Sequence, residues 1–382
     1  DYFNPTNQEL IDSTYELIKA EDFEKFIHRS FPGSRWYSLE GSEALIPLLK
    51  TIINESSTLN MERIIMGMPH RGRLNVLSHI FNKSYELIFD EFKEENLKSR
   101  LNDINPDEFL LDVKYHLGAK ISTVNSHGKT LELFMLPNPS HLEMITPVIA
   151  GATLGIKDKE HISSEKSLSI IIHGDAAFAG QGIVAETFNM SGIEGYNTKG
   201  NLHVINNNQI GFTTNPKNAF STKFASDLAR GFDIPILHVN ADDIESCIRV
   251  AKLAVQYRST FSKDILINLV GYRRFGHNEM DEPSFTQPLM YQKIKSHPTV
   301  RSLWVNNMLT KKLITFETMS AFEQSNSEKL KQANAVSNSV DHQAVAWPNN
   351  FSNDKNQSKA LTRKIDKDEL IKINHSLWNV PL

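Results

Sequence analysis

Leu168-Ser169-Ile170-Ile171-Ile172-His173-Gly174-Asp175-Ala176-Ala177 sets an apolar run directly before a glycine and a lone carboxylate. Three consecutive isoleucines leave neither face of a strand polar. That is the mark of a parallel strand covered by helices on both sides, not of a sheet with one wet face. Ile265–Val270 repeats the pattern, and Arg63–Met66, Leu131–Met135, Leu202–Ile205 and Ile236–Val239 are further candidate strands. Helical patterns lie between them, as in Ile244–Phe261, where Ile244, Ile248, Ala251 and Val255 share one face. Strands and helices alternating at this spacing predict an α/β fold, a doubly wound and mostly parallel sheet flanked by helices.

Outward from that centre the composition changes. Residues 1–36 read as a helical arm, with Phe23, Phe26 and Ile27 as its apolar stripe and Phe31-Pro32-Gly33 as its breaker. Residues 37–300 carry the α/β pattern. Residues 301–340 look helical and polar, and 341–363 are rich in Asn, Ser and Lys, so 301–382 reads as a helical segment and linker. A chain of 382 residues exceeds what one core needs. The net charge of -4 argues against a nucleic-acid surface, which needs surplus Lys and Arg. One cysteine, Cys247, excludes an internal disulfide and a thiolate-rich metal site; it reads as core, in a reducing compartment such as a bacterial cytoplasm or a mitochondrial matrix. Apolar runs stay far below the roughly 18 residues that a membrane helix needs. A start at Asp1 without Met reads as a processed or cut chain.

Sheets of this kind bind ligands at the carboxyl ends of their strands. Asp175 stands at one such end, and Asn206-Asn207-Asn208-Gln209-Ile210-Gly211 follows another. A carboxylate, an amide oxygen and a backbone carbonyl form a hard oxygen set that suits magnesium, whose remaining ligands are commonly phosphate oxygens. A helix expected near Gly182 would add amide donors for a diphosphate. The same residues also fit an ordinary strand-end turn with a solvated Asp and an amide-rich loop.

The wider wording narrows the choice. Met66-Gly67-Met68-Pro69-His70-Arg71-Gly72-Arg73-Leu74-Asn75, Lys114-Tyr115-His116-Leu117-Gly118, Asn138-Pro139-Ser140-His141-Leu142-Glu143, Tyr272-Arg273-Arg274-Phe275-Gly276-His277-Asn278-Glu279 and Thr286-Gln287-Pro288-Leu289-Met290-Tyr291 occur in that order. From about residue 22 to 300 the chain resembles the 2-oxoglutarate dehydrogenase family, whose Gly-Asp-Ala it shares at Gly174-Asp175-Ala176.

The resemblance implies thiamine diphosphate and magnesium as cofactors, with Asp175, Asn208 and the Ile210 carbonyl on the metal. Arg71 would contact the diphosphate, Ala176 and Ala177 would lie near it, and Ser140 and Leu142 would line the pocket. His70 and His116 would be the catalytic pair beside the reacting carbon, binding the substrate's carboxylates with Arg71 and Ser140. The implied reaction is oxidative decarboxylation of 2-oxoglutarate, with succinyl transfer to the lipoyl group of a dihydrolipoyl succinyltransferase in the tricarboxylic acid cycle. The implied assembly is a homodimer without membrane or nucleic acid. A 2-oxoadipate dehydrogenase and a non-catalytic cofactor-binding or assembly module remain alternatives. A pyrimidine-binding domain with an activating glutamate is expected beyond Leu382, which makes this chain a half-site. His173, His203 and His238 read as structural, and His141 and His277 as either site or loop residues. Arg273 and Arg274 are expected to fasten a turn by pairing with Asp281 and Glu282.

Overall fold

The computed structural model describes residues 2–93, 114–160, 166–337 and 366–378. Seven strands form one sheet: β1 (Arg63–Gly67), β2 (Ala119–Val124), β3 (Thr130–Met135), β4 (Ser167–Gly174), β5 (Asn201–Asn207), β6 (Ile236–Asn240) and β7 (Ile265–Val270). Their order is β2-β3-β1-β4-β5-β7-β6. Every neighbouring pair is parallel except β2 with β3. The fold is thus the expected mostly parallel α/β sheet, with β2 as an additional antiparallel edge.

Both faces of the central strands are covered, which is why β1, β4 and β7 carry long apolar runs. Ile64, Met66, Leu168, Ile170, Ile172, Leu202, Val204, Ile265, Ile267 and Leu269 point into the main core. Their sequence neighbours Ile65 and Ile171 face a second cluster with Ile145 and Ile149, and Ile205 and Leu266 face a third with Phe178 and Phe188. His173 and His203, both fully buried, bond to each other at 3.0 Å. Glu143 holds the free nitrogen of His173 at 2.7 Å. His203 thus sits in a buried hydrogen-bond chain, while His173 also lines the strand-end pocket.

The arm is α1 (Asn7–Ser30), started by a capping box in which Thr6 and Glu9 satisfy each other's amides. It buries Leu10, Leu17, Phe23 and Ile27 in the main core, the same one that covers the sheet, so Asp1–Val340 is one compact unit. Beside it lie α2 (Leu45–Thr58), α3 (Arg73–His79) and α4 (Tyr85–Phe92). The helices expected over 301–340 are Val300–Thr310 and Phe316–Val336, and the Trp304 indole N–H donates to Thr14 of α1 at 3.0 Å. The linker expected over 341–363 lies outside the described residues. In the second unit, Asp341–Leu382, the helix Lys367–Trp378 is described. Cys247 is fully buried, and burial raises its thiol far above the usual range. No described helix is long and apolar enough to cross a membrane.

Candidate active site

After β1 the chain moves outward to β3 on one side, then returns past β1 to build β4 and β5 on the other. The strand ends between β1 and β4 therefore open a crevice, the place where open α/β sheets hold ligands. Its walls are Pro69, His70 and Arg71 after β1, Leu142, Asp175, Ala176 and Ala177 around β4, and Asn206, Asn208, Ile210 and Phe212 after β5. Arg273 and His277, after β7, complete them.

Register explains the meeting of the two distant loops. Gly174 of β4 lies opposite Asn206 of β5, so Asp175 and Asn208 leave the sheet side by side. In the amide-rich loop each side chain has its own task. Asn207 donates into the sheet to Asn268 at 3.1 Å, and Gln209 donates to the Gly271 carbonyl at 2.6 Å. Asn208 lines the pocket, and its Oδ1 accepts the Ile210 amide at 3.3 Å. A Cβ at Gly211 would lie 2.7 Å from the Ala176 methyl, so these two loops touch through a glycine.

A strap of backbone closes one side. Glu279 accepts the amides of Trp36 at 3.0 Å, Tyr37 at 3.3 Å and Ser38 at 2.7 Å. Tyr37 is held at φ +51, a conformation that costs a bulky residue energy unless its neighbours enforce it. Its ring lies 4.0 Å from that of His70, which is 6.3 Å from His116 and 5.6 Å from His277. Farther along, the strap crosses the segment just after β7 backbone to backbone. The Tyr272 amide donates to the Gly41 carbonyl at 3.1 Å, and a Cβ at Gly41 would lie 2.3 Å from the Tyr272 oxygen. Arg73, fully buried, donates to the carbonyls of Met68 at 2.7 Å, Leu117 at 2.8 Å and Leu136 at 2.5 Å. It ties together the segments that carry His70 and His116.

The electrostatics follow from burial and from two guanidinium groups. Burial first, and then the charge of Arg71, lower His70 to about 3. His277 falls to about 4 for the same two reasons. Burial raises Asp175 to about 6 against the pull of Arg273 and Arg71. Arg71 itself drops to about 10, first by burial and then by Arg273; it donates to the carbonyls of His277 at 2.6 Å and Ser38 at 3.2 Å. At neutral pH both imidazoles are uncharged, and the positive charge of the pocket resides on Arg71 and Arg273.

Of the expected residues, His70, Arg71, Leu142, Asp175, Ala176, Ala177, Asn208 and Ile210 line this one pocket. His116 is buried behind His70. Ser140 is exposed and does not line it. The helix beside Asp175 begins at Asp175 itself (Asp175–Gly180), and Gly182 only caps the next one (Ile183–Met190). The helix-start amides beside Asp175 are therefore those of Ala176 and Ala177, not those after Gly182. Arg273 and Arg274 do not pair with Asp281 and Glu282, whose carboxylates accept the amides of Asn278 and Ser284. Arg274 instead pairs with Glu40 at 2.9 Å. Arg273, with no ion pair among the described residues, donates to the Phe212 carbonyl at 3.1 Å and enters the pocket. His277 belongs to the site as well.

The profile of the dehydrogenase E1 component family matches residues 17–345. The chain belongs to that family. It is 42% identical to a 2-oxoglutarate dehydrogenase E1 component of Bacillus licheniformis, over 99% of this chain and 41% of the relative. The corresponding proteins of Bacillus subtilis, at 43% over 99% and 41%, and of a Geobacillus strain, at 46% over 87% and 36%, are similar. The chain thus spans about two fifths of the length of the curated relatives it matches.

Proposed function

We propose that the chain forms the diphosphate- and magnesium-binding part of a thiamine-diphosphate-dependent 2-oxoglutarate dehydrogenase component. The observation that carries this reading is the convergence of Asp175, Asn208 and Ile210 with Arg71 and Arg273 in one strand-end pocket. The donor set is all oxygen, as a hard divalent cation requires. Asn206 Oδ1, buried and without a partner among the described residues, belongs to the same lining and fits a ligand shell completed by water.

In this reading Asp175, Asn208 and the Ile210 carbonyl hold the metal, and Arg71 and Arg273 hold the diphosphate. Thiamine diphosphate, when bound, supplies the nucleophile and the electron sink for decarboxylation. The chain supplies orientation and field. His70 and His116 stand beside the substrate's reacting end. His70, neutral at working pH, serves as a hydrogen-bond donor to a developing negative charge, not as a cation. A guanidinium, here Arg273 or Arg71, is the group suited to a distal carboxylate. The relatives are 2-oxoglutarate dehydrogenase components, which favours that diacid over 2-oxoadipate. Their complex implies a succinyltransferase with a lipoyl group as partner. We place the protein in a bacterial cytoplasm, as a homodimer. Among the described residues Asp175 is the one carboxylate that lines the pocket, and this reading gives it to the metal rather than to activation of the cofactor.

Calorimetry on this chain tests the reading without recourse to activity. Thiamine diphosphate should bind only with magnesium, and Asp175→Ala should abolish that binding while the circular-dichroism spectrum is kept. Wild-type affinity in the variant sinks the metal assignment.

A further inference from the structure

A second concavity, sharing no lining residue with the candidate active site, lies where α1, α2, α3, the start of α4 and the helix Phe316–Val336 meet. Its volume of about 420 Å³ is that of a small-molecule site. Lys19, Lys50, Lys83 and Lys329 reach it from four separate parts of the chain, against one lining carboxylate among the described residues, Glu86.

Two of these lysines are already answered: Lys19 pairs with Glu16 at 2.7 Å and Lys83 with Glu91 at 2.5 Å. Lys50 is not. It is half-buried, and it has no hydrogen bond or ion pair among the described residues. Burial holds its ammonium below the usual lysine range against the opposing pull of the Glu16 charge, and Lys19 adds a smaller lowering effect. A long cationic side chain normally keeps its head in water. One held against a concave wall beside other lysines destabilises the free protein, and a bound anion would relieve it.

The wall adds neutral donors of the right kind. α4 starts at this cavity, where Ser84 caps only the Leu87 amide. The amides of Tyr85 and Glu86 are therefore among the donors that a helix start leaves without intrahelical acceptors, an arrangement suited to phosphate oxygens. Ser78 and Ser84 contribute hydroxyls to the lining. His79 is fixed between Asn75 at 2.6 Å and the Tyr85 hydroxyl at 3.0 Å, and burial lowers it to about 3, so it adds rigidity and no charge. A planar carboxylate would be matched by one cation. Several ammonium groups and helix-start amides around one hollow match a tetrahedral group with several charged oxygens.

We propose that this cavity binds a small phosphate-bearing molecule, with Lys50 as the central contact and Glu86 as a counter-charge that limits affinity. It is independent of the reading of the active site.

The test is calorimetric titration of the chain with inorganic phosphate and inorganic pyrophosphate at constant ionic strength. The active-site pocket also attracts diphosphate, so every measurement is repeated in Arg71→Gln, and the event that survives that substitution is followed. Lys50→Gln should weaken it by about tenfold, the loss of one charged hydrogen bond, and Glu86→Gln should strengthen it. If Lys50→Gln does not fold, Lys83→Gln carries the same sign. Binding that disappears entirely with Arg71→Gln overturns the proposal. So does binding indifferent to both Lys50 and Glu86, or no binding of either anion at millimolar concentration.

Discussion

Replacing Arg73 by Met keeps most of the side chain's volume and removes every donor. Three carbonyl oxygens then lose their partner, that of Met68 in a buried bond and those of Leu117 and Leu136 in part-buried ones. Each orphaned acceptor costs roughly 1–3 kcal/mol, which sums to about 3–6 kcal/mol after allowance for relaxation. A domain is stable by only about 5–15 kcal/mol, so the variant should be close to unfolding. Arg73→Lys keeps the charge but replaces a planar fork by three rotating donors, and should fall between the two. Urea unfolding with tryptophan fluorescence measures this directly, with the denaturant slope required to stay constant. A loss under about 1 kcal/mol for Arg73→Met would mean that water or other donors satisfy these carbonyls. The idea that Arg73 holds the His70 and His116 segments together would then fail.

Burial raises Glu24 to about 7 from an ordinary 4.5. Between those values the folded chain keeps a proton that the unfolded chain has lost, so stability should fall as pH rises through the window, by up to roughly 3 kcal/mol. Glu24→Gln should flatten the Tm profile between pH 4.5 and 7, and an unchanged slope in the variant refutes the assignment. In the assembled enzyme, His70→Ala and His116→Ala should lower kcat for 2-oxoglutarate by about two orders of magnitude or more, with little change in thiamine diphosphate affinity. A normal rate with normal KM would return that histidine to a structural role.

The central parallel strands are legible because burial on both faces gives them unbroken apolar runs, such as Ile170-Ile171-Ile172 in β4 and Ile265-Leu266-Ile267 in β7. β2 is not. Its residues are mostly exposed along a sheet edge, so Ala119-Lys120-Ile121-Ser122 carries little apolar signal. Asp175 and Asn208 could be paired from their strand ends, because register alone brings them together. Arg273 could not be placed, because nearby Asp281 and Glu282 offered a local partner that the fold does not use. The partner of Arg274 is Glu40, contributed by the distant strap, and no local spacing announces such a contact. His277 was left undecided for the same reason. Its neighbours in space, Tyr37 and Phe212, are remote in sequence.

The clasp between Glu279 and the amides of Trp36, Tyr37 and Ser38 joins groups 241 to 243 residues apart. A ribosome adding about 5–20 residues per second takes roughly 12–48 s to cover that distance. Throughout that interval the strap has emerged, while the carboxylate that closes it has not been made. Tyr37 then has nothing to hold it in its unfavourable backbone conformation, and the wall beside His70 stays open. The crossing at Gly41 and Tyr272 adds to the delay, because the two backbones meet too closely for any side chain between them. A nascent chain can thus complete most of its core before it possesses a pocket, and ligand can assist only the last act of folding.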